Sequence, residues 1–179
     1  MTEDWRSDVL KYWFALGPDR WWKADEDLDE EIIERFLDRW FEKRQLPVSS
    51  FTGDPLTALA GVILFDQFPR NMFRGHAEQF ATDLLALGIA RAAVDAKFDD
   101  ELERQERGFL YMPFQHSEDL SDQRRSVALF TGLGDDDLLG YARKHHAVIE
   151  RFGRFPHRNS ILGRPPRPQE TAAGDVVPW

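Results

Sequence analysis

The sequence predicts an all-α fold, with about seven helices packed as antiparallel hairpins. Apolar residues recur every three or four positions along most of the chain, which is typical of amphipathic helices. Glycine, proline and capping residues separate these stretches by short connections, and short connections favour antiparallel neighbours. No stretch alternates apolar and polar residues for long enough to indicate a β-strand.

Composition limits the classes of protein to which the chain can belong. Its 179 residues fit one domain, and the lack of cysteine excludes disulfides, thiolate metal sites and a cysteine nucleophile. The formal net charge of −9 argues against binding to nucleic acid or anionic membranes, because phosphate contacts require a basic surface. The N-terminus lacks the basic segment of a signal peptide, and no apolar run approaches the ~20 residues of a membrane span. We therefore predict a cytoplasmic location.

The first two helices are predicted from regular apolar stripes. The first runs from Trp5 to Leu16, and Gly17-Pro18 ends it. The second begins in the acidic run 25–31, where negative charge matches the positive end of the helix dipole. Its apolar residues recur every four positions: Leu28, Ile32, Phe36 and Trp40.

The third and fourth helices occupy the middle of the chain. Asp54-Pro55 combines an N-cap residue with a proline at the first helical position. The helix that follows is apolar on nearly all sides, so we expect it to be buried and to end at Pro69. The fourth helix is predicted from about His76 to Ala96.

Capping residues and glycines separate the last three helices. The fifth is predicted over 99–112, and the sixth follows a cap at 117–119. The seventh spans about 135–152, with Gly153 placed as its C-terminal cap.

The chain changes character near its end. We predict a single helical domain over residues 1–164, followed by a proline-rich extended tail over 165–179, because the prolines cannot lie inside a helix. The tail ends in apolar residues, including Trp179. A homodimer that forms through this tail is therefore one hypothesis.

Two segments repeat one pattern of proline, arginine and asparagine after an apolar helix. They are Phe68-Pro69-Arg70-Asn71 and Phe155-Pro156-His157-Arg158-Asn159. Residues 151–168 contain five arginines and no aspartate or glutamate, although the chain is acidic. A cationic cluster in an acidic protein indicates either a site for a small anion or an internal network of ion pairs.

The first cluster of candidate residues follows the buried third helix. Asp66 and Arg70 are four positions apart and can form an ion pair on one helix face. Alternatively, Arg70 and Arg74 clamp an anion, with Asp66 orienting one of them. Asn71 and the arginines can also bond the carbonyls at the helix end.

The second cluster has arginines without acids beside them in the sequence. Arg154, Arg158 and Arg164 lie close to His157 and Asn159. Their partners must come from a ligand or from elsewhere in the chain. The candidate internal partners are Glu118, Asp119, Asp66 and Asp83.

Histidines near these motifs are candidates for acid–base chemistry. His116 precedes a helix start, and Glu118 or Asp119 could set its tautomer. Alternatively, Ser117 or Glu118 only caps the helix. His145 lies on an apolar stripe and is more typical of a hydrogen-bonded core histidine. A metal site made from His116, Glu118, His145 and His157 lacks the standard ligand spacings, so we predict neither a metal nor a cofactor.

Several motifs together resemble a known family. They are an opening segment, Val9-Leu10-Lys11-Tyr12-Trp13-Phe14, and five later segments: Phe65-Asp66-Gln67-Phe68-Pro69-Arg70-Asn71, Phe109-Leu110-Tyr111-Met112-Pro113, His116-Ser117-Glu118-Asp119, Arg151-Phe152-Gly153-Arg154-Phe155-Pro156-His157-Arg158-Asn159 and Leu162-Gly163-Arg164. In this order, over about residues 5–164, they resemble the blocks of the bacterial domain of unknown function 924 family. The resemblance implies a right-handed stack of helical hairpins similar to tetratricopeptide repeats, and it implies no reaction. The chain departs from the family pattern after Arg164, where the proline-rich tail replaces the start of a further helix.

Three functional hypotheses follow from these residues. The first is a binding module for a small anion or a carboxylate-bearing peptide. Its proposed ligands are Asp66, Arg70, Asn71, Arg74, Arg154, Arg158, Asn159 and Arg164. The second is a hydrolase or transferase for an anionic substrate, with His116 or His157 as general acid or base and Glu118 beside them. The third assigns all these residues to a buried polar network that holds helix ends together.

Overall fold

A computed structural model describes residues 4–179, and this part of the chain is all-helical, without strands. The α-helices are α1 (Trp5–Leu16), α2 (Pro18–Trp21), α3 (Glu26–Lys43), α4 (Pro55–Val62), α5 (Phe68–Met72), α6 (Asp83–Asp95), α7 (Arg104–His116), α8 (Leu120–Leu133), α9 (Asp136–Phe152) and α10 (Pro168–Ala173). A π-helical turn at Ile63–Gln67 joins α4 to α5, so the described residues form nine separate helices rather than about seven. The predicted all-α class is confirmed. None of these helices combines the length and the apolar character needed to cross a bilayer.

The chain divides into two compact units within α7. The first unit ends at Leu110, and the second begins at Tyr111 and includes the C-terminal tail. The tail is not extended throughout, because residues 168–173 form α10. Pro168 is the first residue of this helix. A proline is tolerated there because the amide at this position has no intrahelical acceptor.

Capping residues define several helix ends as the sequence predicts. The Asp54 carboxylate accepts the Thr57 amide at 2.9 Å at the start of α4. Asp119 and Asp135 cap α8 and α9 in the same way. Gly153 ends α9 with a left-handed φ of 71°, and its amide donates to a carbonyl of the last turn.

The prediction that Pro69 ends the third helix is wrong, because the helix continues to Met72. Proline has no amide hydrogen, so the carbonyl of Phe65, four residues earlier, loses its usual donor. The buried hydroxyl of Thr82 replaces that donor and lies 2.7 Å from the Phe65 oxygen. The indole of Trp40 in turn donates to the Thr82 hydroxyl at 3.1 Å. The π-helical turn and these two bonds accommodate the proline inside one continuous helix.

Two other predicted boundaries also differ from those of the structure. The fourth predicted helix is divided into a 3₁₀ turn at Ala77–Phe80 and the α-helix at Asp83–Asp95. The fifth does not begin at Asp99, which lies in a separate 3₁₀ turn, and it continues through Pro113 to His116.

Each unit has its own core. In the first unit, the predicted stripe of α3 is at most 1% exposed, and Phe36 packs on Phe68 with ring centroids 4.5 Å apart. In the second unit, α8 packs against α9, whose buried stripe consists of Ala142, His145, Ile149 and Phe152. Burial of such apolar stripes supplies most of the stability of amphipathic helices.

Candidate functional site

The first-unit cluster centres on Arg70. Its guanidinium donates to both carboxylate oxygens of Asp83, at 2.8 and 3.0 Å, and also lies 3.4 Å from an oxygen of Asp66. Asp66 is completely buried within the π-helical turn, and the Gln67 amide donates to it at 2.7 Å. Burial opposes the charge of Arg70, but Asp83 and Asp66 outweigh this effect and raise its pKa. The predicted ion pair between Asp66 and Arg70 is therefore present, and Asp83 is the stronger partner.

Arg74 and Asn71 also face a carboxylate of the first unit. The guanidinium of Arg74 donates to both oxygens of Asp29, at 2.6 and 2.9 Å. Asn71 donates to the same carboxylate at 2.8 Å. Asp29 lies in the first turn of α3, so these bonds tie the end of α5 to the start of α3.

In the second unit, Glu118 and Arg164 form a paired contact. The two guanidinium nitrogens of Arg164 lie 2.7 and 3.0 Å from the two oxygens of Glu118. Glu118 also accepts the Phe155 amide at 2.8 Å, and Arg164 donates to the side chain of Asn159 at 3.0 Å. Burial opposes ionisation of Glu118, but Arg164 and the Phe155 amide outweigh it and lower the pKa of the carboxyl. Glu118, one of the four internal partners proposed from the sequence, thus pairs with Arg164 of this cluster.

Glu170 of α10 is a second carboxylate among the same arginines. It is 3% exposed and accepts from Arg154 at 2.7 and 2.9 Å, from Asn159 at 3.0 Å and from the Arg167 amide at 2.7 Å. These donors, Arg154 first, lower its pKa to about 2. The Arg167 side chain donates to the Phe152 carbonyl at the end of α9, at 3.0 Å.

A cluster of aromatic and basic rings surrounds Phe155, which is completely buried. We call His116, His145, His157 and Arg158, grouped around this ring, the histidine cluster. The Arg158 guanidinium lies 4.6 Å from the Phe155 ring centre and donates to the His116 carbonyl at 3.0 Å. The ring centroids of His145 and His157 lie 5.5 and 5.7 Å from that of Phe155, and His116 lies 6.4 Å from His145.

Two of these imidazoles are held neutral. His145 is 7% exposed, and its Nδ1 donates to the Tyr141 carbonyl at 2.8 Å, as expected for a core histidine. Burial, His116 and Arg158 lower the pKa of His145 to about 3. Burial and Arg158 likewise lower the pKa of His157 to about 4. The Nδ1 atom of His157 is buried and has no hydrogen-bond partner among the described residues.

The predicted site residues thus fall into two clusters, one in each unit. Asp66, Arg70, Asn71 and Arg74 belong to the first unit, and their charges are balanced by Asp29 and Asp83. His116, Glu118, Arg154, His157, Arg158, Asn159 and Arg164 belong to the second unit and share Glu118, Glu170 and the rings around Phe155. Among residues 4–179 no group of three potential metal ligands has a geometry suited to a metal ion.

Sequence reasoning missed Glu170 and Asp29. Glu170 follows a proline by two positions, and a proline at the first helical position with glutamate at the third is a pattern of helix starts. That pattern could have identified α10 and its carboxylate. No sequence pattern singles out Asp29 as a partner of Arg74, because it lies in an acidic run in which every residue is equally plausible.

Comparisons with known proteins agree with the motifs. The model of a family described as a bacterial protein of unknown function, DUF924, matches residues 9–173. The solved structure of the protein of unknown function ATU0120 from Agrobacterium tumefaciens is 38% identical, with a TM-score of 0.88, over 94% of this chain and 95% of that one. No curated protein matches the chain. The chain therefore belongs to the bacterial DUF924 family, as its motifs predict.

Proposed function

We propose that the chain is a binding module that holds an anionic group, a carboxylate or a phosphate, at the histidine cluster of the second unit. The supporting observation is the Nδ1 atom of His157, which is buried without a hydrogen-bond partner among the described residues. A buried polar atom without a partner costs about 1–3 kcal/mol, so such atoms commonly indicate a bound water or ligand.

The charges around His157 favour an anion. Arg158, Arg164 and His116 all oppose protonation of His157, and Glu118 only partly compensates for them. A carboxylate or phosphate within reach of Nδ1 would offset this positive field and accept a hydrogen bond from the ring. The hydrolase or transferase hypothesis, with His116 or His157 as the acid or base, needs an anionic substrate at the same place. Binding is therefore the first property to test.

A structural role fits the first-unit cluster better than ligand binding. Arg70 and Arg74 each donate two hydrogen bonds to a carboxylate of their own unit. A ligand would have to displace Asp83 or Asp29 from a bidentate contact, which is the strongest arrangement of such a pair. We infer that this cluster fixes helix ends. The packing of the helices as a tetratricopeptide-like stack of hairpins stays a prediction.

The test is an NMR titration of the histidine ring signals with inorganic phosphate, acetate and an acidic peptide. If an anion binds, the pKa of His157 should rise from about 4, by about one unit at saturation, because the anion favours the charged ring. The signal of the exposed His76 serves as the internal control for changes in ionic strength. A His157→Gln variant should bind more weakly. Ring signals of His157 and His116 that do not respond to any of these anions at millimolar concentration would refute the proposal.

A further inference from the structure

A groove in the first unit is lined by groups that belong to neither of the two clusters described above. It has a volume of about 420 Å³, and its polar lining consists of Lys11, Tyr12, Arg20, Glu31 and Arg35. Ala15 and Leu16 add apolar surface. We propose that this groove binds a small amphoteric molecule, whose carboxylate or phosphate contacts Lys11 and the Tyr12 hydroxyl and whose amino or hydroxyl group donates to Glu31.

The Tyr12 side chain is the first observation that points to a ligand. Tyr12 is 7% exposed, and its hydroxyl is buried without a hydrogen bond of good geometry in the described part of the chain. The ring is held by Phe36 and Phe68, with centroids 5.1 and 6.2 Å away, and the Arg35 guanidinium lies 4.5 Å above it. The hydroxyl therefore has a fixed position at the groove beside Glu31, with which its hydrogen bond is weak.

The charges of the groove are the second observation. Arg20 and Arg35 already pair with Asp25 and Asp8, at 3.3 and 2.9 Å. Lys11 and Glu31 form no ion pair, either with each other or with another residue between 4 and 179.

One cation and one carboxylate thus line the same groove, and neither is part of an ion pair among the residues that the structure describes. A simple anion would pair with Lys11 but would place a second negative charge beside Glu31. A simple cation would pair with Glu31 but would place a second positive charge beside Lys11. A molecule with both an anionic group and a hydrogen-bond donor matches both side chains. Burial, together with Glu31, raises the pKa of Tyr12, so the hydroxyl keeps its proton and can donate it to an anionic group.

Three probes separate the parts of this argument. L-Glutamate has carboxylates and an amino group, glutarate lacks the amino group, and O-phosphoserine carries a phosphate with an amino group. Calorimetric titration should show that glutamate or phosphoserine binds more tightly than glutarate. The relative affinities of glutamate and phosphoserine then distinguish a carboxylate ligand from a phosphate ligand. The Glu31→Gln variant should remove the preference for glutamate over glutarate.

Two further variants test the groove itself. Tyr12→Phe keeps the ring and removes the hydroxyl, so we expect affinity to fall about 10-fold without a loss of folding stability, which a thermal melt checks. Lys11→Gln should weaken binding about fivefold, because an exposed charge contributes less. Lys144→Gln, at an exposed position in the second unit, is the matched control and should bind as the unaltered chain does.

The groove and the histidine cluster can fail independently. Tyr12→Phe should leave the response of the His157 ring signals to phosphate unchanged, whereas His157→Gln should leave glutamate binding unchanged. Absence of binding for all three probes, or equal affinities in the unaltered chain, Tyr12→Phe and Lys11→Gln, would overturn the proposal for the groove.

Discussion

Replacement of Thr82 by valine tests how the first unit accommodates a proline inside a helix. Thr82 is 4% exposed, and its hydroxyl donates to the Phe65 carbonyl and accepts from the Trp40 indole. Valine has nearly the same shape, so Thr82→Val removes these two bonds without opening a cavity. The substitution isolates the contribution of hydrogen bonding from that of packing.

The expected loss follows from the two groups left behind. The Phe65 carbonyl cannot regain a donor, because the residue four positions later is Pro69, and the indole of the completely buried Trp40 loses its acceptor. Each buried polar group without a partner costs about 1–3 kcal/mol, so we expect Thr82→Val to lower the free energy of unfolding by about 3 kcal/mol. For a chain of this length, that corresponds to a fall of about 8 °C in melting temperature.

Urea denaturation followed by tryptophan fluorescence and by far-ultraviolet circular dichroism measures this loss. Thr82→Ser keeps the hydroxyl and removes one buried methyl group, so it should cost only about 1 kcal/mol. A double-mutant cycle with Trp40→Phe should give a coupling of about 1 kcal/mol or more. If Thr82→Val were no more destabilising than Thr82→Ser, the hydroxyl would not replace the missing amide, and the explanation for the continuous helix would be wrong.

Three further predictions concern the second unit. The pKa of His145 is lowered from 6.5 to about 3, so protonation favours the unfolded chain, and the free energy of unfolding should fall by about 2 kcal/mol between pH 7 and pH 5. In urea denaturation, His145→Asn should remove this loss and the control Lys144→Gln should not. Gly153→Ala should destabilise by about 1 kcal/mol because φ is 71°, whereas Gly140→Ala, inside the same helix with open space around it, should stabilise by about 0.5–1 kcal/mol. Glu170→Gln removes a carboxylate that accepts four hydrogen bonds. We therefore expect a lower denaturation midpoint and faster hydrogen exchange over residues 165–173.

Each of these predictions has a result that contradicts it. The sign for His145 requires stability to fall with acidification, so equal pH dependence in the unaltered chain and in His145→Asn would exclude this residue as the cause. Equal stability of the Gly153→Ala and Gly140→Ala variants would show that the left-handed cap imposes no strain. Unchanged exchange in Glu170→Gln would mean that α10 is held by other contacts.

Local rules of the sequence predicted those parts of the fold that depend on nearby residues. The stripe of α3, the Asp54 cap and the Gly153 cap each need only a few neighbouring positions, and the structure has all three. The motifs also identified the family. The sequence did not predict that a helix passes through Pro69, because the compensating donor, Thr82, is distant in the chain and its position depends on the tertiary fold.

The candidate sites show the same limit. Spacing of four predicted the contact between Asp66 and Arg70, but Asp83 supplies the bidentate partner from another helix. The pairing of Arg164 with Glu118 was among several combinations that the sequence left open. Charge composition indicated that the arginines of residues 151–168 need acids from elsewhere in the chain. The acid that pairs with Arg154 is Glu170, which lies in the tail that was expected to be extended.

Glu170 also has a practical implication for anyone who prepares shortened versions of this protein. A chain cut before Pro168 would lose the carboxylate that Arg154 and Asn159 share, while both side chains kept their positions beside the Phe155 segment. Such a fragment would expose a positively charged surface, and we expect it to aggregate or to bind acidic contaminants during purification. Recombinant boundaries are therefore best drawn beyond Ala173, and a synthetic peptide that begins at Pro168 offers a way to restore a truncated product in trans.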